Sequence, residues 1–186
     1  SDGVTTKVEV FSSMEPNFEI IISGYQPDNT LVSEFVLKEF LKITKKSFFF
    51  KIQHEISIPV GYGLGCSGAV ALSLALALNQ ALGTNLSKEE VGMIAHKAEV
   101  NCQTGLGDVL AAYHGGFEIR TKSGAPGIGK VEKINADSAV ILICFSPIST
   151  KKFMTEKIET INGLGGRMVN ELVKTKNYND FQDMSI

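Results

Sequence analysis

The stretch Ile58–Ala71 reads IPVGYGLGCSGAVA. A proline opens it, four glycines fall within the eight residues 61–68, and a long apolar run comes directly after. A buried helix has no need of so many glycines at its start. Unpaired backbone N–H groups at a helix N-terminus, with the positive end of the helix dipole, form a binding place for an anion. Glycines let a backbone approach a polyphosphate closely and take positive φ. Gly61, Gly63, Gly65 and Gly68 fit that task, and Ser67 at the helix start is placed to reach a magnesium ion. The plainer alternative is a turn whose glycines only pack a helix tightly against a strand.

Two phosphate-binding patterns can be tested on the letters. The Walker A loop requires Gly-Lys-Ser/Thr, and here Ala69 stands after Gly68, so it fails. Gly63-Leu-Gly65-Cys-Ser-Gly68 satisfies G-x-G-x-x-G. A dinucleotide fold, however, needs a strand after the helix, ending in an acidic residue. The next segment is SKEEVGMIAHKAEV, a second helix, and it argues against an oxidoreductase of that kind.

Working outward, TTKVEVF (5–11) and FEIIISG (18–24) read as strands joined by a turn around Pro16, the pattern of a hairpin. Leu31, Phe35, Leu37, Phe40 and Leu41 predict a helix over 29–44, capped by Asn29 or Thr30. SFFFKIQHEIS (47–57) returns to strand character. The helix after the glycine loop runs to about 82 and stops at Gly83. Ser87 with Glu90 three residues on predicts a capping box for the next one. VLAAYHGG is a short helix closed by glycines; FEIRT, VEKI and AVILICFSP are strands; residues 149–175 read as two helices broken at Gly163–Gly166; YNDFQDMSI begins another. Strands mixed with helices predict an α+β chain, with a domain boundary near residue 136.

Composition bounds the function. The 186 residues are 44% hydrophobic with net charge −2, so there is no basic field for nucleic acid or an anionic membrane. The longest apolar run, Ala69–Leu78, is far shorter than the roughly 20 residues of a spanning helix. Cys66, Cys102 and Cys144 are an odd, widely spaced set, expected to be reduced thiols in a cytoplasmic protein.

The whole string Pro59-x-x-x-Gly63-Leu-Gly65-Cys66-Ser67-Gly68-Ala69 resembles the central motif of the GHMP kinases, P-x-x-x-G-L-G-S-S-A. In that family the loop cradles the ATP phosphates, which implies phosphate contacts from Gly61, Gly63, Leu64, Gly65, Cys66, Ser67 and Gly68. Cys66 stands in place of the first serine and Gly68 in place of a common alanine. As a thiol at a helix N-terminus Cys66 is either reactive or a small filler. A second patch, AEVNCQTGLGDVLAAYHGG (98–116), resembles the family's downstream segment. Matched residue by residue, Glu99 falls at the magnesium-binding glutamate and Asp108 at the active-site aspartate. The chemistry agrees: phosphoryl transfer is mainly positioning and charge neutralisation, with one carboxylate on the acceptor hydroxyl and another oxygen ligand on Mg²⁺. His96, one turn before Glu99, is read as a packing or supporting residue, and His114 as a candidate for lining the pocket.

Beyond these motifs, residues 104–134 and 161–185 look like the archaeal pantoate kinases. That likeness implies an ATP- and Mg²⁺-dependent kinase acting on the terminal hydroxyl of (R)-pantoate to give 4-phosphopantoate, on the route to coenzyme A. Pantoate carries a carboxylate, for which Arg120 is the candidate cation and Arg167 a weaker one. The fold implied has an N-terminal mixed-sheet domain (1–136) and the start of a ferredoxin-like domain (137–186), in a protein that forms a homodimer. The family's first substrate-binding segment is expected before Ser1, so the chain is expected to be a fragment. The rival readings are a homoserine or mevalonate-derivative kinase, and a non-catalytic nucleotide-binding domain.

Overall fold

The computed structural model describes residues 3–136, 139–150 and 165–184. The first sheet is built from β1 (Val4–Ser12), β2 (Asn17–Gly24) and β3 (Phe48–Ile56), in spatial order β1-β3-β2. β3 is antiparallel to β1, with Val4 opposite Ile56, and parallel to β2. The hairpin expected of the first two strands is therefore not formed. The reason lies in β3, which buries Phe50, Ile52, His54 and Ile56 at every second position. β1 and β2 have no fully buried residue. The most apolar face takes the middle of the sheet, and the turn at 13–16 joins strands lying on either side of it.

Parallel neighbours need a crossover, and α1 (Leu31–Thr44) supplies it between β2 and β3. Asn29 Oδ1 accepts the Leu31 N–H at 3.1 Å, while the Thr30 hydroxyl donates to Glu34. α2 (Cys66–Leu82) is the hub of the fold: it packs on β1, on α1, on α3 (Lys88–Cys102) and on α4 (Asp108–His114). It is apolar on nearly every side, with Val70, Ala71, Leu72, Leu74, Ala75 and Leu78 buried, as a helix enclosed by other elements must be. Gly83 ends it in the left-handed conformation, as predicted. The capping box of α3 is formed on both sides: Ser87 Oγ accepts the Glu90 N–H, and Glu90 Oε2 accepts the Ser87 N–H at 2.8 Å.

β4 (Glu118–Lys122) and β5 (Lys130–Lys133) form a separate antiparallel pair. Ile119 and Ile134 pack there with Leu172, flanked by Phe117, Tyr178 and Phe181. Residues 165–175 are helical, and a short helix spans Tyr178–Met184. The helices expected over 149–175 otherwise fall on 151–164, outside the described residues. The strand expected at AVILICFSP is not formed: residues 139–149 pair with no described strand, and Val140, Ile141, Ile143 and Phe145 are exposed. β propensity alone makes no strand without a partner edge. The segment is tied down at its end, where the Ile148 N–H donates to Gly61 O at 2.7 Å.

Candidate functional site

The glycine loop lies between β3 and α2. Gly61, Gly63 and Gly65 take φ of 87°, 74° and 66°, left-handed values that side chains resist, so alternate residues of the loop are fixed as glycine by the backbone itself. Gly65 is the N-cap of α2, and no side chain caps it. Among the described residues the start of α2 thus has no side-chain cap at the position where the dipole is most positive.

Gly68 has a different role. It is buried in the first turn, and a Cβ there would stand 2.9 Å from both Asp108 Cβ and Val109 N. Its missing side chain lets α2 meet the start of α4. The plainer reading of a glycine turn, close packing, therefore describes this one residue.

Three groups from three helices converge beneath the loop. Ser67 Oγ donates to Glu99 Oε1 at 2.8 Å, and the Val109 N–H donates to Glu99 Oε2 at 3.2 Å. Asp108 lies beside them: a Cβ on Gly105 would sit 2.6 Å from Glu99 Oε1 and 2.7 Å from Asp108 Oδ2. Glu99 is fully buried. Burial pushes its carboxyl up to about 7, and the Asp108 charge adds to this, against the lowering by Ser67, Val109 and Arg120. At neutral pH it is an acid poised between its two forms, with no counter-charge in contact among the described residues.

An oxygen-only pair, hydroxyl and carboxylate, suits Mg²⁺, which takes one or two protein ligands and completes its shell with phosphate and water. Among the described residues no group of three or more His, Cys, Asp or Glu side chains could hold a metal without such help. Ser67 and Glu99 thus fit a cation delivered with a polyphosphate.

A cavity of ≈ 340 Å³ opens over this arrangement. Of the residues singled out in the sequence, Gly61, Gly63, Leu64, Gly65, Cys66, Ser67 and Asp108 line it; Gly68, Glu99, His114 and Arg120 do not. His114 is at the far end of α4, about 9 Å along the axis from Asp108. Its ring lies edge-on to Tyr113, and its carbonyl accepts from Lys133 Nζ. Arg120 lies against Gly107, the N-cap of α4, where a Cβ would meet its Nη1. Its Nε is 3.4 Å from Glu118 Oε1. Burial raises the Cys66 thiol, so the filler reading holds over the reactive one. His96 Nδ1 and Thr104 Oγ1 are buried and have no hydrogen-bond partner among the described residues.

The sequence reading missed one wall. Ser33 of α1 and His54 of β3 line the cavity, although neither belongs to a motif. Ser33 Oγ is 3.1 Å from His54 Nε2, Thr6 Oγ1 is 2.8 Å from Nδ1, and Ser73 Oγ is 2.7 Å from Thr6 Oγ1. Burial lowers His54 to about 4, so the ring is neutral. The signal was present in β3, where His54 occupies an inward position between Ile52 and Ile56.

A glycine loop at a helix start, a hydroxyl and a carboxylate under it and a second carboxylate beside them define a class. Residues 30–116 match the family model described as GHMP kinases N terminal domain, so the chain carries a domain of that family. Within that class the chain is 40% identical over 148 residues to a pantoate kinase of Methanocaldococcus jannaschii, a match covering 75% of this chain and 53% of that protein. It is 34% identical over 166 residues to the pantoate kinase of Thermococcus kodakarensis, covering 87% and 54%. The chain thus spans about half the length of the curated relatives it matches. The fold is shared with a solved phosphotransferase related to the CoA biosynthesis pathway, at TM-score 0.80 and 24% identity over 99% of this chain and 61% of that one. It is also shared with the mevalonate kinase of L. major, at TM-score 0.61 and 16% identity over 97% and 62%.

Proposed function

We propose that this chain is the catalytic part of an ATP-dependent pantoate kinase, transferring the γ-phosphoryl group to the terminal hydroxyl of (R)-pantoate to give 4-phosphopantoate. The observation that carries the reading is the closure of Ser67, Glu99 and Asp108 beneath the glycine loop, in a chain 40% identical to a pantoate kinase. The polyphosphate lies on Gly61–Ser67 and the first turn of α2. Ser67 Oγ and a Glu99 oxygen would hold Mg²⁺, and the ion when bound would supply charge neutralisation for the transferred phosphoryl group. Asp108 orients the acceptor hydroxyl and takes its proton. The bond from the γ-phosphorus to the β,γ-bridging oxygen breaks as the hydroxyl oxygen bonds to phosphorus, and ADP leaves. Arg120, packed against Gly107 at the N-cap of α4 and outside the cavity lining, is the cation that would have to turn from Glu118 to meet the acceptor's carboxylate. The division into 1–136 and 137–186, the homodimer and the cytoplasmic location belong to the same proposal; among the described residues no helix is long and apolar enough to cross a membrane.

The test is ADP release by the full-length protein with ATP, Mg²⁺ and, separately, pantoate, homoserine or mevalonate, beside an Asp108→Ala control. Release with pantoate alone, lost in the control, is expected. Release with another acceptor removes the pantoate assignment and keeps the phosphoryl transfer.

A further inference from the structure

Arg120 stands between two sets of acids. Its guanidinium lies against Gly107, and the next residue is Asp108. Its charge is felt at Glu99 as well, where it favours the ionised form. Neither of these carboxylates holds it. Among the described residues its ion pair is with Glu118, Nε to Oε1 at 3.4 Å. The helix it rests on does not attract it either, since the N-terminal end of a helix repels a cation. Gly107 makes the room. Its φ of −154° lies outside the left-handed region, so the backbone there does not demand a glycine; the space filled by Arg120 Nη1 does.

Glu118 is poorly satisfied in return. Its side chain is 9% exposed, and Oε2 is buried with no hydrogen-bond partner among the described residues. Lys133 stands opposite it on β5, where a cross-strand pair of opposite charges would form, but the Lys133 ammonium donates to His114 O at 3.2 Å. A carboxylate taken out of water for one long ion-pair contact adds little to stability. Its effect is on Arg120, which it draws toward β4. We propose that Glu118 is a positioning residue of the phosphoryl-transfer site, holding Arg120 off Asp108 and Glu99 with a grip that the acceptor's carboxylate can take over. This rests on the kinase reading above, with Arg120 as the acceptor's cation, and adds the residue that keeps that cation available. A guanidinium paired with Asp108 would hold the carboxylate away from the acceptor hydroxyl and would itself be lost to the acceptor. One loose contact suits the task, because a carboxylate gripping both edges of the guanidinium would not release it.

The test uses the full-length protein, steady-state ADP release with pantoate, and the variants Glu118→Gln, Arg120→Gln and the two combined. Glutamine keeps the size of Glu118 and removes its charge. Glu118→Gln is expected to lower kcat/KM for pantoate by about tenfold or more. In the Arg120→Gln background the same change should cost nothing further, because Glu118 acts only through Arg120. A purely structural Glu118 would cost the same in both backgrounds. An unaltered kcat/KM in Glu118→Gln, or losses that multiply in the combined variant, overturns the proposal while the kinase reading stands. NMR of the Arg120 Nε–H in the nucleotide-free protein reads the grip without any acceptor. The signal is expected to move in Glu118→Gln and to stay in place in Asp108→Asn, and the opposite pattern overturns the proposal. Should wild type release ADP with homoserine or mevalonate instead, the pantoate assignment falls, and the same kinetic comparison with that carboxylate-bearing acceptor decides the role of Glu118. Absence of release with every acceptor overturns the kinase reading, and the positioning role with it.

Discussion

Replacing Glu99 with glutamine should make the protein more stable at high pH and inactive as a kinase. The carboxyl is raised from the ordinary 4.5 to about 7, chiefly by burial. The folded state holds its proton more tightly than the unfolded chain does. Its contribution is fully present below about pH 4.5 and is lost as pH rises through about 7. At about 1.4 kcal/mol per pH unit the loss is on the order of 3 kcal/mol by pH 8.5. Glutamine removes the titration and can keep both contacts, its carbonyl accepting from Val109 N–H and its amide donating to Ser67 Oγ. Urea unfolding of wild type and Glu99→Gln, without nucleotide or Mg²⁺, at pH 5 and pH 8.5, measures the difference. The two proteins should be of similar stability at pH 5 and separate by up to about 3 kcal/mol at pH 8.5, the variant being the more stable. His54 titrates equally in both and cancels. Parallel pH profiles, or a variant less stable at pH 8.5, would refute the account of Glu99 as a buried acid without a counter-charge.

Asp108→Asn should lower kcat by about 10²–10⁴ with little change in KM for ATP, read by steady-state ADP release, because the acceptor hydroxyl loses its base. Apparent Mg²⁺ affinity should weaken as pH falls below about 7, up to tenfold per pH unit, since proton and cation compete for Glu99; nucleotide binding titrated with Mg²⁺ at pH 6 and 8 shows it. Gly68→Ala should cost about 1–3 kcal/mol in urea unfolding and reduce kcat, because its Cβ meets Asp108 and Val109 at 2.9 Å; an unaltered variant would mean α4 can move away freely. The His54 ring should stay neutral through pH 5 in an NMR titration, given a value of about 4, and a midpoint near 6.5 would contradict its burial.

What the letters disclosed was local. The stop at Gly83 and the Ser87–Glu90 box depend on neighbours a few residues apart, and both formed as predicted. The glycine loop, Ser67, Glu99 and Asp108 were legible because their spacing is a motif. Strand order was not, because β1 finds β3 rather than its neighbour β2, a choice made by the inward row Phe50, Ile52, His54 and Ile56. The exposed run Val140–Ile143 had strand propensity without a partner among the described residues. The Ser33–His54 wall escaped for a related reason: its members come from separate elements, and each alone is an ordinary serine or histidine.

The sheet order also sets a timetable. β2, α1 and β3 are consecutive along the chain, so their parallel pairing closes a loop of modest length. β1 must instead reach past an intervening strand and helix, its pairs with β3 widening from Ser12–Phe48, only slightly longer in loop than the β2 pairs, to Val4–Ile56. Loop-closure entropy favours the contiguous unit as the folding nucleus, with β1 docking late and α2 settling on it. Truncations of Val8 or Val10 should then act almost wholly on the unfolding rate, while truncations of Ile52 or Val36 slow folding itself. Thr6 belongs to that late strand, so the far end of the hydrogen-bond chain that fixes Ser33 is among the last parts of the molecule to be put in place.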